Sequence, residues 1–222
     1  MNIADNINRY LKEIGDRKCK LVAISKTKPV DIIMNAYDSG QRIFGENKVQ
    51  ELADKYPQLP NDIQWHMVGH LQSNKVKYIA PFVHLIHSVD SIKLLKEIEK
   101  QASKHDRVIF CLLQVHIAEE ETKFGLSEER LYQVLDEVMN SGFEHVKITG
   151  LMGMATYTQE EEQIRKEFQY IKDLLDTVSS KYQHSSIELT QLSTGMSGDY
   201  KIALEEGSTM IRIGTGVFGA RY

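Results

Sequence analysis

Eight short runs rich in β-branched and aliphatic residues recur along the chain, at 21–26, 43–47, 64–69, 85–90, 109–117, 148–154, 188–195 and 210–215. Their starts are 21 to 40 residues apart, each gap long enough for a crossover helix between parallel strands. The intervening segments carry helical spacing, as in Ile92, Leu95, Ile98 and Ala102, or Leu131, Leu135 and Val138, or Ile164, Phe168, Ile171, Leu175 and Val178. Eight βα units predict a closed (β/α)8 barrel of the TIM type. A doubly wound open sheet is the competing architecture, but the GxGxxG turn that usually follows its first strand is absent. An amphipathic stretch with Ile3, Ile7, Tyr10, Leu11 and Ile14 adds an N-terminal helix, which could plug one end of the barrel. No Pro/Gly/Ser-rich linker or low-complexity tract divides the chain, so residues 1–222 are expected to form one domain.

Composition narrows the function classes. With 27 Lys+Arg against 31 Asp+Glu the net charge is −4, and there is no basic field to hold a nucleic-acid backbone. No apolar run is long enough to span a bilayer and the N-terminus lacks the uncharged core of a signal peptide, so the expected location is cytoplasmic. Cys19 and Cys111 are the only cysteines and form no CxxC pair, which argues against a disulfide framework or a thiolate zinc site.

A barrel of this type carries its chemistry at the carboxyl ends of its strands. The first run ends in Ser25-Lys26-Thr27-Lys28-Pro29, and alternation places Lys26 on the face of Val22 and Ile24. If that face points inward, burial favours the neutral amine, the form that attacks a carbonyl to give a Schiff base. The plain alternative is a strand-end lysine that snorkels to solvent; Lys28 shares the parity but adjoins the proline break. The last two runs lead into Ser193-Thr194-Gly195-Met196-Ser197-Gly198 and Arg212-Ile213-Gly214-Thr215-Gly216. Their glycines and hydroxyls suit a phosphate cradle at the place where such barrels most often hold one, and they also suit ordinary turns. Arg212 has interior parity and could ion-pair with an acidic neighbour or donate to a ring nitrogen of a bound cofactor. Asn47 could orient a ligand hydroxyl or cap the next helix.

His66/His70 and His84/His87 raise the question of a metal. No HExxH, matching carboxylate or cysteine partner accompanies them, so no metal is expected. The acidic runs Glu119-Glu120-Glu121 and Glu160-Glu161-Glu162 read as solvated loops and helix starts.

Taken in order, Val22-Ala23-Ile24-Ser25-Lys26-Thr27-Lys28-Pro29, Phe44-Gly45-Glu46-Asn47, Trp65-His66-Met67-Val68-Gly69-His70-Leu71-Gln72-Ser73-Asn74-Lys75, Gly150-Leu151-Met152, Gly195-Met196-Ser197 and Ile211-Arg212-Ile213-Gly214-Thr215 resemble the YggS/PROSC family of pyridoxal phosphate homeostasis proteins. The resemblance covers nearly the whole chain. It implies a barrel like the N-terminal domain of alanine racemase (fold type III) with pyridoxal 5′-phosphate (PLP) held as a reversible Schiff base on Lys26. Ser197 with Met196 on one loop, and Gly214 with Thr215 on the other, would hold the phosphate. Arg212 would face the pyridine nitrogen, Asn47 would lie near the ring, and Ser193 would add a contact. Thr194 stands where the family often has methionine or leucine, and His116 where asparagine is common.

A racemase needs a second acid/base group, which alanine racemases draw from another domain, and the last run ends about seven residues before Tyr222. An arginine at the pyridine nitrogen also weakens the ring as an electron sink. The expectation is therefore a monomeric PLP-binding homeostasis protein with no catalytic residue, supplying apo PLP-dependent enzymes. The alternatives are a small single-domain amino-acid racemase and, from another class, an aldolase that forms its imine with a sugar phosphate.

Overall fold

The computed structural model describes residues 2–120 and 124–219. Eight parallel strands close into a barrel in sequential order: β1 (Lys20–Ile24), β2 (Ile43–Glu46), β3 (Gln64–Met67), β4 (Leu85–Val89), β5 (Ile109–Gln114), β6 (Val146–Met152), β7 (Ile187–Ser193) and β8 (Met210–Ile213). The helices are α1 (Ile3–Ile14), α2 (Val30–Asp38), α3 (Val49–Lys55), α4 (Ile92–Ser103), α5 (Glu128–Met139), α6 (Glu161–Lys181), α7 (Tyr200–Glu205) and α8 (Thr215–Phe218), with a 3-10 segment at Ser73–Tyr78 after β3.

Each strand begins within two residues of its predicted start and ends one to three residues before its predicted end. Apolar residues past the strand ends, such as Val68 and Met154, still pack into the barrel interior. Hydrophobic pattern reports burial, and burial extends past the strand ends at the barrel mouth.

The alternation within the strands separates two cores. Leu21, Ala23, Phe44, Trp65, Ile86, Cys111 and Ile148 face outward and pack against the helical ring. Val22, Ile24, Leu85, Leu112, Met152 and Met210 fill the barrel interior. Helix α6 shows how the outer ring forms. Ile164, Phe168, Ile171, Leu175 and Val178 recur three or four residues apart and all are buried, each worth roughly 1.5–3 kcal/mol of apolar burial. Glu161 and Glu162 occupy its first turn, where negative charge complements the helix dipole.

Helix α1 does not plug the barrel. Asn2 caps it by accepting from the Ala4 N–H at 3.0 Å, and it packs on the outer flank against α2 and α8. Asn6 Nδ2 donates to the Val217 carbonyl at 3.0 Å, and the Tyr10 ring meets Tyr200 edge-on with centroids 5.1 Å apart. The reason is the shortness of α8. Four residues cannot cover the β8–β1 seam, and the buried face of Ile7, Tyr10 and Ile14 does so instead.

Candidate functional site at the barrel mouth

The carboxyl ends of β1, β2, β7 and β8 bring the predicted residues together. Val22 pairs with Arg212 across the β1–β8 seam, and Ile24 pairs with Gly45 towards β2. A Cβ on Gly214 would lie 3.5 Å from both the Cβ and the carbonyl oxygen of Ile24, so the β8 loop runs beside the segment leading to Lys26.

The parity argument places Val22 and Ile24 inside, but Lys26 lies past the end of β1 in a turn and is half-buried. Thr27 adopts φ +65, a left-handed conformation that a β-branched residue takes only when its surroundings impose it. A polar cluster does so. The Thr27 N–H donates to Glu51 Oε1 at 2.5 Å, and Lys55 Nζ reaches Glu51 Oε1 at 2.6 Å, Glu46 Oε1 at 2.8 Å and the Ser25 carbonyl at 2.9 Å. Ser25 Oγ donates to Glu46 Oε1 at 2.6 Å. Ser25 and Thr27, the residues on either side of Lys26, are thus tied to one buried ammonium and two carboxylates. Burial pushes the Glu46 carboxyl above its ordinary range, and hydrogen bonds from Lys55 and Ser25 oppose that rise.

Asn47 follows β2 and does not cap α3, whose first flanking residue is Lys48 without a side-chain cap. It borders a groove of about 320 Å³ together with Lys48, His70, Gln72 and Lys75. Gly69 is obligatory beside it, because a Cβ there would fall 2.2 Å from the Asn47 carbonyl oxygen.

Across the mouth, Ser197 is half-buried and Thr215 exposed, and their hydroxyls lie 3.3 Å apart, linking the loops after β7 and β8. Gly195 shapes the first loop with φ +84, and a Cβ on it would come within 2.5 Å of the Ala203 Cβ. Met196 is exposed, and its amide donates to Asp199 Oδ1 at 2.5 Å.

Arg212 is 5% exposed and is held by donation from Nη1 to the Ser193 carbonyl at 2.7 Å and Ser193 Oγ at 2.6 Å, and from Nη2 to the Gly153 carbonyl at 3.1 Å. Among the described residues it has no carboxylate partner, so the ion-pair alternative is not what the fold builds. Burial lowers its pKa to about 10, with the charge of Asp199 acting the other way. These bonds use three of the five guanidinium N–H donors. The others have no acceptor among the described residues, which fits a ligand acceptor beside the arginine. Ser193 is fully buried and its hydroxyl is engaged inside the protein, so it supports Arg212 rather than presenting an open contact.

The histidines pair differently from their sequence neighbours. His87 Nε2 lies 2.9 Å from His66 Nδ1, and His87 Nδ1 lies 3.0 Å from Ser193 Oγ. β4 and β7 are not adjacent strands, so the second contact crosses the barrel interior. His70 is exposed and stacks on Phe124 with ring centroids 4.4 Å apart. Sequence reasoning missed the His66–His87 pair, although interior parity of His66 with Val68 was available as a signal. Among the described residues no three His, Cys, Asp or Glu side chains gather as a metal set.

The two departures from family pattern have distinct surroundings. His116 Nε2 lies 2.9 Å from the Glu120 carbonyl in the loop after β5; Glu121 lies outside the described residues. Thr194 is fully buried, and its Oγ1 has no hydrogen-bond partner among the described residues. Thr194→Val, which keeps the shape and removes the orphan hydroxyl, is expected to raise stability by about 1 kcal/mol in urea denaturation. A loss of stability would mean that the hydroxyl has a partner in solution.

A parallel barrel with an amine at the end of β1, a buried arginine on β8 and hydroxyls on the last two loops defines a class, and the comparisons agree with it. The family model for the alanine racemase N-terminal domain matches residues 1–222. The chain belongs to the family of pyridoxal phosphate homeostasis proteins within that class: it is 38% identical over 231 residues to the protein of that name from Aquifex aeolicus, covering 100% of this chain and 99% of the relative. The Vibrio alginolyticus protein of the same name is 35% identical over 236 residues, covering 99% of this chain and 98% of the relative. The solved structure of PipY from Synechococcus elongatus with PLP bound superposes with a TM-score of 0.89 at 33% identity, covering 98% of this chain and all of PipY. Alanine racemase from Streptomyces lavendulae shares the fold at 15% identity and a TM-score of 0.81, with 99% of this chain matching 57% of the racemase.

Proposed function

We propose that this chain binds pyridoxal 5′-phosphate at the barrel mouth and acts in its homeostasis as a carrier rather than a catalyst. The buried Arg212 carries this reading: a guanidinium held by Ser193 and Gly153, with no carboxylate partner and with donors to spare among the described residues, suits the ring nitrogen of a pyridine. The relatives named as homeostasis proteins and the PLP-bound PipY support it.

When bound, PLP supplies an aldehyde that an amine can hold reversibly as an imine. Lys26 is the amine, presented at the mouth by the turn that Glu46, Glu51 and Lys55 brace. Ser197 and Thr215 direct hydroxyls to the phosphate, with Met196 and Gly214 shaping the same two loops. Asn47 borders the ring and its substituents, and Ser193 acts through Arg212. Residues 1–222 work as one domain and as a monomer in the cytoplasm, with apo PLP-dependent enzymes as recipients. No helix among the described residues is long and apolar enough to cross a membrane.

The test is an absorbance spectrum of the purified protein, then borohydride reduction and peptide mass mapping. The pyridoxyl label is expected on Lys26, and Lys26→Ala is expected to lose the near-ultraviolet to visible band. Ser197→Ala is expected to weaken PLP retention about tenfold while keeping the label on Lys26, the scale of one lost charge-assisted hydrogen bond. A protein that stays colourless and unlabelled with added PLP would overturn the reading. Because the fold is that of a racemase domain, racemisation is the second reading. Exchange of an amino acid's α-hydrogen in deuterated water at about 1 per second or faster would favour it over the carrier.

A further inference from the structure

Arg212 raises a physical problem that the binding site alone does not answer. A guanidinium removed from water costs several kcal/mol unless something replaces its hydration, and no carboxylate touches this one among the described residues. What the barrel interior supplies is a line of neutral groups. Arg212 Nη1 lies 2.6 Å from Ser193 Oγ, Ser193 Oγ lies 3.0 Å from His87 Nδ1, and His87 Nε2 lies 2.9 Å from His66 Nδ1. His66, His87 and Ser193 are each no more than 1% exposed.

The direction of these bonds follows from counting protons. Arginine only donates, so Ser193 Oγ accepts from it. Ser193 is fully buried with no other acceptor for its own proton among the described residues, so that proton goes to His87 Nδ1. His87 is then protonated on Nε2 and donates to Nδ1 of His66, whose proton is also on Nε2. The reverse arrangement would leave the serine proton unbonded in the core. In this arrangement the serine proton and every ring nitrogen within the line have a partner, the hydroxyl and both imidazoles turn their negative ends towards the guanidinium, and each bond polarises the next. Three aligned dipoles take the place of a counter-ion.

We infer that His87 and His66 are positioning residues for Arg212, forming a one-way donor chain from Arg212 through Ser193 and His87 to His66 that aims the guanidinium into the site and works only while both imidazoles are neutral. The inference rests on the PLP-binding reading for what Arg212 is aimed at, and on the interior geometry alone for the chain itself. Protonated His87 would have to donate to Ser193 and would set a second cation against Arg212. The charged and titratable groups around the pair all act in the same sense. His84 and Lys20 bear on His66, while His66 and Arg212 bear on His87, and each disfavours an imidazolium. Asp199 is the carboxylate whose charge acts on Arg212.

The chain can be read without cofactor. Long-range proton–nitrogen NMR spectra of the cofactor-free protein, recorded at about pH 7.5 and about pH 5.5 on either side of the ordinary imidazole range, report which ring nitrogens carry protons. Both His66 and His87 are expected in the Nε2–H form at both values. A His87 protonated on Nδ1, or either residue as imidazolium at the higher value, overturns the inference. With PLP, His87→Phe is expected to raise Kd about tenfold and to shift the ring-nitrogen signal of nitrogen-15-labelled PLP. His87→Asn, which keeps an acceptor for Ser193, is expected to stay within about threefold of the parent. A His87→Phe protein with unchanged affinity and ring-nitrogen signal sinks the positioning role. Should that variant fail to fold, the tautomers of the parent protein still decide. Should the parent take up no PLP, the binding reading fails and the tautomers judge the donor chain separately.

Discussion

Lys55→Met is expected to lose about 3–5 kcal/mol of folding stability, the cost of stranding a buried charge by deleting its partner. Lys55 Nζ bonds at once to Glu46, Glu51 and the Ser25 carbonyl, and Glu46 is fully buried. Without the ammonium, Glu46 keeps only the Ser25 hydroxyl on Oε1, while its Oε2 already has no partner among the described residues. Methionine preserves most of the side-chain volume, so the loss reports charge rather than a cavity. Urea denaturation at neutral pH measures it. The double variant Glu46→Gln/Lys55→Met separates the explanations: with the buried carboxylate gone it is expected to recover much of the loss. A loss below about 1 kcal/mol in the single variant would place the cluster with ordinary surface ion pairs. The same variant frees the backbone around Lys26, because the left-handed Thr27 depends on Glu51, which Lys55 holds.

Acidification is the second large effect. Burial holds both His66 and His87 well below the ordinary imidazole pKa of 6.5, so the folded state keeps them neutral where the unfolded chain protonates them. The unfolded state then binds more protons, and stability rises with pH through this window. Read downward, stability is intact above the unfolded value and falls as pH drops below it, until the folded values are reached. Between about pH 7 and pH 5.5 two such groups cost roughly 2–3 kcal/mol. His84, also lowered by burial, adds to the loss, whereas Glu46, raised by burial, acts in the opposite sense where it titrates. Urea midpoints across this range check the prediction, and His87→Asn is expected to reduce the slope by about one proton. A flat profile in the parent protein would show that the histidines are accessible to protons in the folded state.

Much of this protein was legible in one dimension. The eight strands follow from short runs rich in β-branched and aliphatic residues, because a strand buried on both faces must be apolar wherever it packs. Alternation along the first run gives the interior direction of Val22 and Ile24, the end of that run gives the position of Lys26, and composition gives the hydroxyl-rich last two loops. These properties belong to single strands or to the loops that continue them. The limits are visible at particular residues. Lys26 reads as the end of a strand but lies in a turn, since what stops the ladder is the Ser25–Glu46–Lys55–Glu51–Thr27 cluster assembled from three separate segments. His66 and His87 are 21 positions apart, and sequence proximity pairs them instead with His70, which stacks on Phe124, and with His84, whose ring lies over His66.

The chain's own order of apolar, polar and hydroxyl residues therefore determined that a barrel forms, which faces turn inward and at which end the reactive groups gather, because those depend on local periodicity. Closure of the barrel decided the rest. It fixed the register between strands, brought His87 of β4 within reach of Ser193 of β7 across the interior and turned Arg212, Ser193, His87 and His66 into one bonded line. Which buried polar groups satisfy one another is a property of distances across the closed interior, and no single strand encodes those distances.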